Sequence, residues 1–420
     1  MKNSNQLQIN LPKQHFFNGK RLLYFDYQAT TPMDKRVIEA IYTSMQEDYG
    51  NPHSTSHPLG WQAIEKIEIA RRQIAKVINA KTDDIIFTSG ATMSNNIAIK
   101  GVAHFYQNKG KHIITMSVEH KCVLESCKSL QNEGFDVTYL DPEEDGLLDL
   151  NKLKDAIRKD TILISIMGVN NETGVIQNLK EIGKIAHENE ILFHTDCAQA
   201  FGKIPLDVEE MNIDLMSISS HKIYGPKGIG ALYVRQKPKV RLSPIIHGGG
   251  QEKGIVSGTL ATPLCVGFGV ASQICMQEMN KDNKHLQLLS NKFLDKILSI
   301  EDVYLNGNRH HKIPGCNNIS FLHIEGEGLL LAIQNMCIST GSACNSANLQ
   351  PSYVISKMRK NDYYAHSAMR FGFGRFTTEK EVDILIDELI SAVNHLRKIS
   401  PLWEMKKNGI DINKINWDNT

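Results

Sequence analysis

The sequence predicts an α/β fold: a mostly parallel, seven-stranded sheet sandwiched by helices, with a smaller α+β domain attached. Three observations carry that expectation. From about residue 57 to 275, strand-sized apolar runs alternate with segments of helical spacing, the pattern of parallel strands joined by crossover helices. The longest apolar runs, such as "ILISIMGV", are strand-sized and fall short of a membrane span. After about residue 277 the alternation gives way to one long helical pattern and then to short mixed elements.

Each element follows in order. "WQAIEKIEIARRQIAKVI" has apolar residues at helical spacing and leads into "DIIFTS". A further helical run precedes "HIITMS", "HKCVLESCKSLQNEG" precedes "DVTYL", and "DLNKLKDAIRKD" precedes "TILISIM". "LKEIGKIAHENE" precedes "ILFHTD", and "DLMSIS" and "GALYV" close the series. The remainder opens with the helical "KHLQLLSNKFLDKILSI" and includes the strand-like "NNISFLHI". The expected division is a large domain over 31–276, with a small one assembled from 1–30 and 277–420.

Composition excludes several classes of function. Lys and Arg number 47 against 46 Asp and Glu, a net charge of +1, so no basic face invites nucleic acid. The eight cysteines are scattered and none forms a C-x-x-C pair, so neither a zinc site nor a disulfide framework is expected. Sparse cysteine in a long chain fits a reducing compartment. Residues 1–25 carry Lys2, Lys13, Lys20 and Arg21 and no acid, a trait shared with mitochondrial presequences. They lack the amphipathic arginine-rich helix of such leaders, so the expected location is cytoplasmic, with no membrane association.

In open parallel sheets, ligands sit beyond the carboxyl ends of the strands. Four polar clusters stand there: Thr88–Thr92 after "IIF", Asn170–Glu172 after "ISIMGV", Thr195, Asp196 and Gln199 after "ILFH", and Ser219–Lys222 after "LMSI". The small-residue turn at Ala91 and Thr92 opens a helix, whose amides and partial positive charge suit a phosphate. It matches neither G-x-G-x-x-G nor the nucleotide-triphosphate loop. Lys222 ends a buried strand; an amine of pKa about 10.4 there either pairs with a carboxylate at the rim or condenses with an aldehyde cofactor. Asp196, otherwise a plain helix cap, would keep a pyridinium nitrogen protonated. His120 is a candidate to stack on the ring and shuttle protons, and Arg370 to clamp a carboxylate, with Arg375 as competitor. These residues point to a pyridoxal phosphate enzyme acting on an amino acid. Cys344, in the open stretch "STGSACNSA", then reads as a nucleophile aimed at a substrate atom.

The stretches "FTSGATMSNNIAIKG", "IMGVNNETG", "SSHKIYGPKGIGALYVRQKP", "HGGGQEKG", "SGTLATP", "STGSACNSANLQPSYV" and "SPLWEMKKNGID" together resemble the cysteine desulfurases. The likeness is to the housekeeping group that supplies sulfur for iron–sulfur cluster assembly, and it runs from "YFDYQATTP" to the last residues. It implies a fold-type I, class V aminotransferase-like homodimer. Lys222 would carry pyridoxal 5'-phosphate as a Schiff base and transfer protons. Ala91, Thr92, Ser219, Ser220 and His221, with Thr259 from the partner subunit, would bind its phosphate. Asp196 would hold the ring nitrogen, Gln199 and Asn171 the ring hydroxyl region, and His120 the ring face. Arg370, with Asn171, would hold the carboxylate of L-cysteine.

The implied reaction yields L-alanine and a persulfide on Cys344. That sulfur passes to a scaffold protein, and to other acceptors such as those of tRNA thiolation; Cys344 would also be a transient 2Fe-2S ligand shared with the scaffold. "SPLWEM" is the implied docking region. The chain departs from the pattern at Met93, where Glu is frequent, and at Ile255–Val256, where Met-Arg is usual. Asn345 replaces a common Thr, and Gly168 a bulkier residue. None of these removes a reacting group. Three rivals remain: a selenocysteine-specific lyase, a degenerate interaction protein and a cysteine-ligated metal carrier, for which the ligand spacing is missing.

Overall fold

The structure is a computed structural model, and it describes residues 15–340 and 351–409. The large sheet contains β1 (Ile85–Thr88), β2 (His112–Met116), β3 (Asp136–Leu140), β4 (Thr161–Ser165), β5 (Leu192–Asp196), β6 (Leu215–Ser219) and β7 (Gly230–Val234). Their spatial order is β1-β7-β6-β5-β4-β2-β3. The pairs among β2 to β6 are parallel, whereas β7 runs antiparallel to both β1 and β6. All five residues of β2, β4, β6 and β7 are buried. Helices cover both faces of such strands, which is why they read as continuous apolar runs instead of alternating ones.

The helices that matter for the site are α1 (Lys35–Glu47), α2 (Pro58–Val77), α3 (Ala91–Tyr106), α4 (Lys121–Asn132) and α5 (Leu179–Glu188). Next comes α6 (Thr262–Ile297), a single helix of 36 residues. Its first part buries Cys265, Phe268, Ala271 and Ile274 in the core beneath the large sheet. Its last part buries Leu289, Phe293, Leu294 and Ile297 in a second core. That second core also holds Leu23 and Phe25 from the N-terminal side. It lies on a three-stranded sheet of β8 (Val303–Leu305), β9 (Cys316–Phe321) and β10 (Ala368–Gly372), closed by α7 (Glu379–Ile399).

α7 starts with a capping box, Thr378 and Glu381 each bonding the other's backbone N–H, which satisfies two orphan donors of the first turn. The short α8 (Pro401–Lys407) follows after Ser400. No helix of the described residues is long and apolar enough to cross a membrane.

Candidate active site

The carboxyl ends of β1, β2, β4, β5 and β6 open onto a cavity of about 340 Å³, within the range of small-ligand sites. Ala91, Thr92, His120, Asn171, Asp196, Gln199, Ser219, His221 and Lys222 all line it. The parallel run of the strands brings these residues together from five separate stretches of sequence. Ser220 is buried directly behind, and Thr259 is exposed and does not line the cavity of its own chain. Cys344 lies outside the described residues, but both flanks of its segment are tied to the site. The Arg370 N–H donates to the Ser339 carbonyl at 2.6 Å, and the Tyr353 hydroxyl donates to the Glu119 carbonyl at 2.6 Å.

Lys222 ends the short 3-10 turn Ser220–Lys222 immediately after β6. Its Nζ donates to the carbonyls of Gln28 and Ala29, at 2.7 Å each. Asp196, the last residue of β5, is almost wholly buried. It is not left as a bare charge: Oδ2 accepts from Asn95 Nδ2 at 2.7 Å and Oδ1 from the Ala198 N–H at 2.9 Å.

His120 is the N-cap of α4, its Nδ1 accepting from the Cys122 N–H at 3.3 Å with Cys122 Sγ 3.0 Å away. A backbone N–H only donates, so Nδ1 is the acceptor in that contact. His221, bonded through Nδ1 to Thr30 Oγ1 at 3.1 Å, is pushed down to about 4 by burial and by Lys222, Lys227 and Lys203. It meets a ligand as a neutral imidazole.

The two candidate carboxylate clamps separate clearly. Arg375 is saturated: it bonds Asp34 at 2.9 Å and Asp282 at 2.8 Å, and its guanidinium stacks 4.3 Å from the Tyr224 ring centre. Arg370, on β10, gives Nη1 to the Asn171 carbonyl and Nη2 to Asp26, while its buried Nε has no partner among the described residues. Only Arg370 touches a residue of the cavity wall with a donor to spare.

The sequence reading missed three residues that shape this site, and it named Glu172 only as a member of a polar cluster. Asn95 orients Asp196. Glu119, beneath His120, is fully buried; one oxygen accepts from the Met167 N–H at 2.8 Å, and burial holds its carboxyl well above the usual range. Glu172 is likewise raised by burial and accepts from the Ser352 hydroxyl. Lys203 donates to Gln199. Asn95 stands inside the quoted "TMSNN", and Glu119 beside His120. Their spacing carries no signal, because their roles arise only where separate strands meet.

The aminotransferase class-V family matches residues 23–385. A mitochondrial cysteine desulfurase of Candida maltosa is 58% identical over 401 residues, covering 95% of this chain and 83% of that protein. The cysteine desulfurase IscS of Rickettsia bellii is 57% identical over 396 residues, covering 94% and 97%. Among solved structures, a NifS-like protein superposes with a TM-score of 0.83 at 34% identity, covering 89% of this chain and all of the other. The chain belongs to the cysteine desulfurases of the class-V aminotransferase family.

Three of its departures from the desulfurase pattern have local explanations, while Asn345 lies outside the described residues. Met93 lines the cavity, and its sulfur accepts from the N–H and hydroxyl of Ser89, at 3.3 and 3.2 Å. It thus stabilises the turn that opens α3. Val256 is buried and Ile255 packs beside it in an apolar cluster with Ile86, Leu232 and Val234, so the pair seats its loop by burial instead of charge. At Gly168 a Cβ would stand 3.0 Å from Cys197 Sγ and 3.2 Å from Ala200 Cβ; the space a bulkier residue needs is filled.

Proposed function

We propose that this desulfurase takes sulfur from L-cysteine with Lys222 and Cys344 as its two reacting residues. The observation that carries the reading is the meeting of Lys222, Asp196, His120 and the α3 N-terminus around one cavity. The residues fit pyridoxal phosphate. Gly90, the N-cap of α3, supplies no side-chain bond, which leaves first-turn amides for a phosphate. The Asn171 Oδ1 is buried on the wall without a partner among the described residues, an acceptor awaiting a ligand donor. When bound, the cofactor supplies a carbonyl for amines and an electron sink for charge developing at the substrate Cα.

The chain's own residues do the rest. Ala91, Thr92, Ser219 and His221, with Ser220 behind them and Thr259 of a second copy, hold the phosphate. Asp196, fixed by Asn95, holds a proton on the ring nitrogen; Gln199 and Asn171 face the ring oxygen, and His120 covers the ring. Arg370 takes the substrate carboxylate, and Lys222 Nζ accepts the Cα proton.

The Cys344 thiolate then attacks the substrate sulfur. An S–S bond forms, the C–S pair stays with carbon, and protonation gives L-alanine plus a persulfide. In this reading the enzyme is a homodimer, with a large domain over 31–276 and a small one from 1–30 and 277–420. It delivers sulfur to a scaffold protein, where Cys344 serves as transient ligand to the 2Fe-2S cargo, and to other acceptors. Its compartment is a reducing one, cytoplasmic first and mitochondrial second.

The test is alanine release from L-cysteine, with persulfide located by mass spectrometry. Wild type should give one alanine per sulfur transferred, and Cys344→Ala should lose at least about a hundredfold in turnover, equal to about 2.7 kcal/mol of barrier. Undiminished turnover in Cys344→Ala rejects the mechanism, and preference for L-selenocysteine over L-cysteine would reassign the substrate.

A further inference from the structure

A second lysine stands behind the first. After β5 the chain turns at Gly202, with φ +69° and no room for a Cβ, which would lie 2.5 Å from Cys275 Sγ. The turn places Lys203 against α6, where Asn283 Nδ2 donates to its carbonyl at 2.8 Å. Its Nζ points back and donates to Gln199 Oε1 at 2.7 Å. Gln199 Nε2 donates to the Gln28 carbonyl at 2.8 Å, and that same carbonyl accepts Lys222 Nζ at 2.7 Å. Lys203 lines a separate small cavity of about 30 Å³ that it shares with Lys222, and it does not line the large one.

The chemistry of these groups fixes one orientation. A carbonyl such as that of Gln28 only accepts, and an ammonium only donates, so both neighbours demand the same setting of the Gln199 amide. Its oxygen is taken by Lys203, and its NH₂ edge keeps a second hydrogen for the cavity. Without Lys203 the amide has one restraint instead of two, and its oxygen is free to swing towards the cavity.

The groups acting on the amine are Lys222 after β6, Arg370 on β10 and Cys316 on β9, with Asp282 of α6 and Arg375 across the small cavity. Burial, Lys222 and Arg370 push Lys203 down to about 7. Holding an amine in this desolvated position without a carboxylate partner among the described residues costs free energy, so a purpose is called for.

We propose that Lys203 is a positioning residue that locks the Gln199 amide with its NH₂ edge towards the ring oxygen of the bound cofactor, and so keeps the proton on Lys222 Nζ loosely held. This rests on the reading of Lys222 and Gln199 given above. A donor to the ring oxygen favours its anionic form. Loss of that donor leaves the Lys222 nitrogen more basic.

The experiment is a pH titration of the visible absorbance of protein loaded with pyridoxal 5'-phosphate. Lys203→Met should raise the midpoint by about one pH unit, with Lys203→Leu, which also lacks a donor, shifting the same way if the Met variant does not fold. Lys203→Arg, which keeps the donor, should stay within about half that shift. In a Gln199→Leu background, Lys203→Met should add less than about a third of its effect. A midpoint that neither Met nor Leu moves overturns the inference, as does a full shift that persists without Gln199. A wild-type protein with no visible band overturns the functional reading itself, so the two failures are distinct.

Discussion

At the scale of single residues, the account turns on which groups are held ready and which are already spent. Arg375 is spent on Asp34 and Asp282, whereas Arg370 keeps a buried Nε without a partner among the described residues. Asp196 is held by Asn95 and by the Ala198 N–H, both of which need an acceptor. Asp196→Asn therefore presents an amide where Asn95 offers another N–H, and removes the charge that keeps a ring nitrogen protonated. It should lower kcat/KM for L-cysteine by at least about a hundredfold and alter the cofactor absorbance, with the fold retained by circular dichroism. The place of Lys222, Asp196 and His120 on the cavity was legible in the sequence because each stands at the end of an apolar strand or in the short turn after it. Asn95, Glu119 and Lys203 were not, since their neighbours come from distant segments that only the sheet order brings near.

At the scale of elements, the centre of the sheet carries its own pH dependence. His194 on β5 is fully buried, its ring bridging Ser165 on β4 at 2.8 Å and Ser217 on β6 at 3.0 Å. Desolvation pushes it down to about 3. The unfolded chain takes up that proton near 6.5, while the folded chain refuses it until about 3, so stability is lost as pH falls through this window. The expected contribution approaches about 1.4 kcal/mol per pH unit below 6.5. His194→Gln should flatten the fall in melting temperature between pH 6.5 and 5 relative to wild type; an unchanged slope would show that the imidazole is not the titrating group. The strands themselves were readable from their apolar runs. The antiparallel direction of β7 was not, because alternation along a chain says nothing of which way a strand points.

For the whole molecule, the two cores are joined by α6 and by the Arg375 cluster. Helical spacing was read only from about residue 277 onward, so the start of α6 at Thr262 and its unbroken change from one core to the other were not legible. That change appears only in its partners, between Cys275 and Leu289. Arg375 follows β10 and reaches Asp34, the N-cap of α1, and Asp282 on α6. Arg375→Met leaves those carboxylates without this cation and should cost about 3 kcal/mol, read as a lower denaturant midpoint; a variant as stable as wild type would mean the cluster does not hold the parts together.

The central claim is that Lys222, and not the nearby buried Lys203, carries the cofactor, because Lys222 alone of the two lines the large cavity. Borohydride reduction of the pyridoxal phosphate-loaded enzyme followed by peptide mass spectrometry decides it. The pyridoxyl group is predicted on Lys222; finding it on Lys203, or on no lysine, would contradict the account.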